Sequence, residues 1–292
     1  MQAVPRVAIA RGEDPGAMVR DVLGKIGAAA VVKPGDRVVL KPNYVEPRMP
    51  ETGVTTDARV IEAVIQWLQD LGARDITVAE GGDTQSKTDR AFRMVGLPEM
   101  AKRYGVRLLN VFEDERVVVR IPNALSLREV GLARTMLEAD CLINLPKLKC
   151  HSMAYVTLGI KNLMGAVIPN KMIIHQRLDE RLRDLATAIR YRLCVIDGLV
   201  GSEGHETAGS AVKTDVIIGG LNPVATDAVG AMVMGINPAQ VAHLRLSSQA
   251  GLGEYRPEKI EVVGAPVEQV RKQYRQPWGF RQVTAGIADE RG

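Results

Sequence analysis

The chain has 292 residues, 46% apolar and 25% charged, with a net charge of +4, which is enough apolar material for a large core in one domain or two lobes. Aromatics make up only 4% and no recognition motif accompanies the modest positive charge, which argues against nucleic acid as the main partner. No apolar run approaches the roughly 18 residues of a membrane span and the N-terminus lacks a signal-peptide apolar region, so a cytoplasmic chain with no membrane attachment is expected.

The elements alternate. Arg6 to Ala10 reads as a first strand, with a helix after Asp14-Pro15. Arg37 to Leu40 is a buried strand ending at Lys41-Pro42-Asn43. Thr55-Thr56-Asp57 caps a helix in which Val60, Ile61, Val64, Ile65 and Leu68 keep helical spacing. Ile76 to Ala79 forms the next strand and runs into Glu80-Gly81-Gly82-Asp83. A helical stretch near Thr88 to Tyr104 follows, and Arg107 to Arg120 then read as two short strands in a hairpin or at an edge. Cys141 to Leu145, Leu193 to Asp197, Val216 to Ile218 and Ile260 to Val263 are further strands. Helices are expected between Val224 and Met234 and between Pro238 and Gln249.

This βα alternation predicts a mainly parallel sheet with helices on both faces, with two lobes around a cleft as one possible arrangement. Residues 1–264 are read as that domain and 265–292 as a C-terminal tail. The tail, with Gln276-Pro277-Trp278, is either an arm onto a neighbour in a homo-oligomer or a frayed terminus.

The most informative segment runs from Cys141 to Leu178. It holds Lys147, Lys149, Lys161, Lys171, Arg177, His151 and His175, and not one Asp or Glu. Surface segments normally mix both signs, so an acid-free basic stretch with glycines and prolines suggests a pocket for an anion. In parallel sheets ligands bind beyond the carboxyl ends of the strands. The polar groups expected there are Lys41, Asn43, Glu80, the Asn144 to Lys149 segment and Asp197. Lys161 follows an apolar run and precedes Asn162 and Gly165, which points it into a cleft. Lys149 and Lys171 read equally well as a solvated basic face. Two histidines bracketing a lysine suggest proton transfer or a metal ligand, though two alone do not make a closed zinc site. Asp197 to His205 reads as a glycine-spaced loop, able to approach an anion but equally a tight turn. Asp227, in the first turns of its helix, reads as structural. No serine lies in a nucleophile elbow, and Cys150 and His151, adjacent on a strand, point to opposite faces.

At these residues the chain resembles the DUF362 family, a domain of unknown function sometimes fused to ferredoxin modules. The resemblance runs from about Val38 to Gly264 and rests on Lys41-Pro42-Asn43, Thr55-Thr56-Asp57, Asn144 to His151, Lys161 to Gly165, Asp197 to Gly204 and Pro223 to Asp227. The clustered cysteines of the ferredoxin-fused members are missing. With Cys141, Cys150 and Cys194 scattered, no iron–sulfur cluster is expected. Asn222 stands where the family pattern suggests an aspartate. The chain also resembles, more faintly, the nickel-pincer lactate racemases. His151 and Lys161 keep the ten-residue step of that family's motif, and Pro169 and His175 lie beyond. That resemblance implies a distantly racemase-like fold, His151 as an acid/base, Lys161 as the anchor of a nickel-pincer nucleotide, and His175 as a ligand for nickel or another metal.

The expected function is therefore an enzyme acting on a small carboxylate- or phosphate-bearing substrate, by isomerisation or redox chemistry beside a carboxylate. His151 and Lys161 would be catalytic, and Lys41, Asn43, Lys147, Lys149, Glu80 and Asp197 would bind substrate. The alternative is a non-catalytic binding protein for an anionic metabolite or RNA.

Overall fold

Residues 4–277 are described by the computed structural model. The strands are β1 (Arg6–Arg11), β2 (Arg37–Lys41), β3 (Asp75–Glu80), β4 (Arg107–Asn110), β5 (Arg116–Arg120), β6 (Glu129–Ala133), β7 (Cys141–Asn144), β8 (Lys147–His151), β9 (Tyr155–Thr157), β10 (Leu193–Glu203), β11 (Ser210–Gly220) and β12 (Glu261–Gly264). The helices are α1 (Pro15–Lys25), α2 (Ala58–Asp70), α3 (Gln85–Met94), α4 (Leu97–Tyr104), α5 (Arg134–Leu137), α6 (Gly159–Asn162), α7 (Leu178–Ala188), α8 (Pro223–Val233), α9 (Ala242–Gln249) and α10 (Val267–Val270).

One ten-stranded sheet carries the order β12-β1-β11-β10-β7-β2-β3-β4, with β8 and β9 branching from β10. Along that main path β11 alone runs against its neighbours, so the sheet is mostly parallel. Its central strands are buried on both faces. Val38 and Leu40 pack into the core formed with α1, α2 and α4. Val39, between them, packs into the core formed with α6 to α9. That alternation is why the strands read as unbroken apolar runs.

The caps follow the expected chemistry. Asp14 accepts the Gly16 and Ala17 amides at the start of α1. Asp57 does the same for Arg59 in α2, whose apolar stripe is buried. One expectation is narrowed and one needs correcting. Of the hairpin and the edge read between 107 and 120, the edge holds for the first strand and the hairpin does not form. β4 closes the parallel edge beside β3, while β5 pairs with the later β6 in a separate two-stranded sheet. The glycine-spaced run from Asp197 to Glu203 is not a loop but the second half of β10, paired to β11 from Val200↔Lys213 to Glu203↔Ser210. Those strand residues spend backbone groups on the ladder instead of on an anion.

Beyond Gly264, Val267, Val270 and Tyr274 are buried, and the Tyr274 hydroxyl lies 2.6 Å from Thr214 Oγ1. Trp278 and the rest of the expected tail lie outside the described residues. Among the described residues no helix is long and apolar enough to cross a membrane.

Candidate functional site

The parallel strands β2, β3 and β7 end side by side at Lys41, Glu80 and Asn144, and α6 sits over those ends. Asn162 ties the layers together. Its Oδ1 accepts from Lys41 Nζ (3.0 Å) and Asn43 Nδ2 (2.8 Å), and its Nδ2 donates to Asn144 Oδ1 (2.7 Å) and the Pro42 carbonyl (3.1 Å). Lys41 Nζ also donates to Glu80 Oε2 (2.7 Å) and the Pro42 carbonyl (3.0 Å). All three ammonium protons are thereby used inside the protein. Gly165 has to be glycine, because a Cβ would collide with the Glu80 carboxylate and lie 2.7 Å from Lys41 Nζ.

α6 is held from below by Asp227 of α8, whose two oxygens accept the Gly159 and Ile160 amides, each at 2.8 Å. Asp227 is fully buried, and burial pushes its carboxyl up to about 7, against the pull of those two N–H groups.

Above this layer opens a cavity of about 300 Å³, lined among others by Asn43, Glu80, Lys149, His151, Lys161, Asn162, Lys171, His175 and Glu206. Its lysines differ in their partners. Lys149 Nζ donates to Asn43 Oδ1 (2.8 Å) and the Val54 carbonyl (2.9 Å). Lys171 Nζ donates to the Gly81 (3.3 Å) and Gly82 carbonyls. Lys161 Nζ rests 2.9 Å from Met164 Sδ, a weak acceptor. Among the described residues none of the three forms an ion pair with a carboxylate. Burial lowers Lys149 to about 7, helped by the charge of Lys161. Lys161 also falls to about 7, by burial and then Lys171, and Lys171 falls to about 8 by burial. Lys161 disfavours the charge on Lys149, and Lys171 disfavours that on Lys161, and an anion between them would reverse that.

His151 and His175 face each other with ring centroids 6.4 Å apart and planes 27° from parallel. Burial, then Lys161 and Lys149, lowers His151 far below the usual imidazole range, so it is neutral. Its Nδ1 accepts the Met153 amide at 3.0 Å, which puts the proton on Nε2, 3.8 Å from Glu206 Oε1. In this state His151 is a hydrogen-bond donor and has no free lone pair to act as a base. His175 is also lowered, first by burial and then by Lys161 and Lys171. Glu206 is fixed by the Ser152 amide (2.9 Å) and hydroxyl (3.0 Å). Burial pushes its carboxyl up, but these bonds outweigh that and leave it below the usual range.

Six of the nine residues singled out from sequence line the cavity: Asn43, Glu80, Lys149, His151, Lys161 and His175. Lys41, Lys147 and Asp197 are fully buried behind its wall. Lys147 Nζ pairs with Asp197 Oδ2 at 2.7 Å, and the same oxygen accepts the Asp57 amide at 2.7 Å, so this pair ties β8 and β10 to the start of α2. Lys41 and Lys147 thus hold carboxylates of the protein itself, in place of the expected substrate anion. Sequence reading undervalued Lys171, which lies in the acid-free segment, and missed Glu206, for which no local pattern gives a signal.

The metal expected at His175 meets a sparse donor set. Among the described residues no group of three or more His, Cys, Asp or Glu side chains converges to hold an ion. The nearest ring is that of His151, whose Nδ1 is already engaged. A metal held by side chains alone does not fit here.

Comparison with known proteins assigns the family. The DUF362 profile, described as a domain of unknown function, matches residues 38–232, more than half of the chain, and the chain belongs to that family. A thylakoid-associated protein of Synechocystis sp. is 27% identical over 293 residues, covering 93% of this chain and 86% of that protein. The lactate racemase apoprotein from Thermoanaerobacterium thermosaccharolyticum superposes with a TM-score of 0.43 and 11% identity, over 81% of this chain. The chain spans 58% of the racemase's length.

Proposed function

We propose that this protein is an enzyme that binds a small carboxylate- or phosphate-bearing molecule between Lys149, Lys161 and Lys171 and performs proton-transfer chemistry, an isomerisation, at the carbon beside the anionic group. The observation that carries the reading is the three-lysine cavity without a paired carboxylate. Of the lining carboxylates, Glu80 is paired with Lys41, and Glu46 and Asp83 with Lys87, which leaves Glu206 to face three desolvated lysines, so an anionic ligand supplies the missing counter-charge. A lysine near neutrality serves as a base at ordinary pH, because part of it is free amine. His151 Nε2–H is the donor available to a substrate oxygen, and Glu206 is the carboxylate that faces it. The small volume and buried lysines favour a metabolite over an extended polyanion, which would need a continuous exposed stripe.

The test is solvent exchange. A panel of small 2-hydroxy, 2-amino and 2-oxo acids is incubated with the protein in heavy water and followed by proton NMR. Loss of the C2 proton signal of a 2-hydroxy or 2-amino acid, or of the C3 signal of a 2-oxo acid, beyond the protein-free rate is expected for at least one compound, and Lys161→Met should abolish it. Calorimetric binding without exchange across the panel would leave a binding protein and overturn the catalytic reading.

A further inference from the structure

The lysines around the cavity differ in one respect that bears on covalent chemistry. Lys41 spends three donors on oxygen, and Lys149 and Lys171 spend two each. Lys161, in the last turn of a helix pinned by Asp227, has only the Met164 thioether within reach. Among the described residues it is the cavity lysine whose nitrogen no oxygen claims. We propose that Lys161 captures the carbonyl carbon of a short 2-oxo acid as an imine, with the carboxylate held by Lys149 and Lys171. The proposal rests on the anion-binding reading above and adds a covalent step to it.

The step balances without an oxidant. The Nζ lone pair attacks the carbonyl carbon, a C–N bond forms, and the carbonyl π pair moves to oxygen, which takes a proton. The resulting carbinolamine expels that oxygen as water, the two hydrogens of the amine being lost to water and solvent, and leaves C=N–Lys. His151 Nε2–H supplies a hydrogen bond to the departing oxygen. The groups that set the charge on Lys161 are Lys171, which disfavours the ammonium after burial itself, and Glu206, which favours it. Together they leave the amine near 7. Lys149, His151 and His175 line the same cavity. A 2-oxo acid suits the arrangement because its carboxylate sits directly on the carbonyl carbon, so lysines that hold the anion also place the electrophile. A cavity of about 300 Å³ is at the small end for ligand sites and fits a molecule of this size.

The experiment uses the full chain with pyruvate as probe. Protein and pyruvate are treated with sodium borohydride at neutral pH, and each lysine is mapped by peptide mass spectrometry. A carboxyethyl group on Lys161 is expected, exceeding that on any surface lysine by about a hundredfold, since the free-amine fractions differ by about a thousandfold. The adduct should vanish in Lys161→Arg, and if that variant fails to fold, the native peptide map still decides. An adduct spread over surface lysines with Lys161 unmodified overturns the proposal. Pyruvate, lactate and phosphate binding is measured separately by calorimetry without borohydride. Binding without trapping overturns the imine and leaves the anion site standing, while absence of all binding overturns both.

Discussion

Asp227 is a carboxylate with no cation beside it among the described residues, and it is the group from which the position of Lys161 descends. Along its own helix it is an acid in a first turn, with a local and modest role. Its partners are instead the amides of Gly159 and Ile160 on α6, far away in sequence, which is why no spacing pattern could expose them. Burial raises its folded pKa from 3.8 to about 7. The folded state therefore binds more protons than the unfolded state between those values. The stability that Asp227 contributes is fully present below its unfolded pKa and is lost as pH rises through about 7. Asp227→Asn, whose amide resembles the protonated acid, should gain stability relative to the native chain as pH climbs from about 4 to about 7, by about 1.4 kcal/mol for each pH step of one. Urea unfolding of both proteins across that range checks it, and a difference that stays flat with pH would contradict the buried-acid reading.

At the scale of elements, the buried Lys147–Asp197 pair joins β8, β10 and the start of α2. Asp197→Ala strands a buried ammonium and should cost about 3–5 kcal/mol, whereas the apolar pair Lys147→Met with Asp197→Leu should recover much of that loss. Denaturant unfolding of the single and double variants distinguishes this structural role from the substrate-binding role expected from sequence. The same strands show what a sequence discloses. Arg37 to Leu40, Ile76 to Ala79 and Cys141 to Asn144 are legible because strands covered on both faces carry unbroken apolar runs. The cavity's basic wall is legible because a missing charge sign is a compositional fact. The extension of β10 through Gly198 and Gly201 is not, because those glycines are selected by neighbours. A Cβ on Gly198 would lie 2.6 Å from Val216 Cγ2, and one on Gly201 would lie 2.5 Å from the Leu148 carbonyl. Which lysine finds an internal carboxylate and which faces open space is likewise decided by pairings across the sheet, so Lys41 and Lys147 read as substrate binders alongside Lys149, and Lys161 alone stood apart through its apolar approach.

For the whole molecule, the three lysines of the cavity set a pH dependence opposite to that of Asp227. Their folded pKa values, about 7 for Lys149 and Lys161 and about 8 for Lys171, lie below the ordinary 10.5. Between those limits the unfolded chain binds more protons than the folded one, so their contribution to stability rises with pH from about 7 towards about 10. Below about 7 the ammonium groups are forced upon the cavity, and that is where an anion relieves them most. Ligand stabilisation scales with the logarithm of ligand concentration over its dissociation constant, so a weaker site at high pH appears directly in the melting temperature. The increment given by a fixed concentration of lactate, which keeps a single charge over this range and has no ketone for Lys161 to attack, should therefore be largest near pH 6 and shrink through about pH 8. In Lys161→Met the ligand-free rise above about pH 7 should flatten, because one of the three titrating groups is gone. Thermal melts of both proteins, with and without ligand at constant ionic strength, read all of these slopes. A native increment that is constant from about pH 6 to about pH 9 would mean that the anion meets surface charges and not the buried lysines.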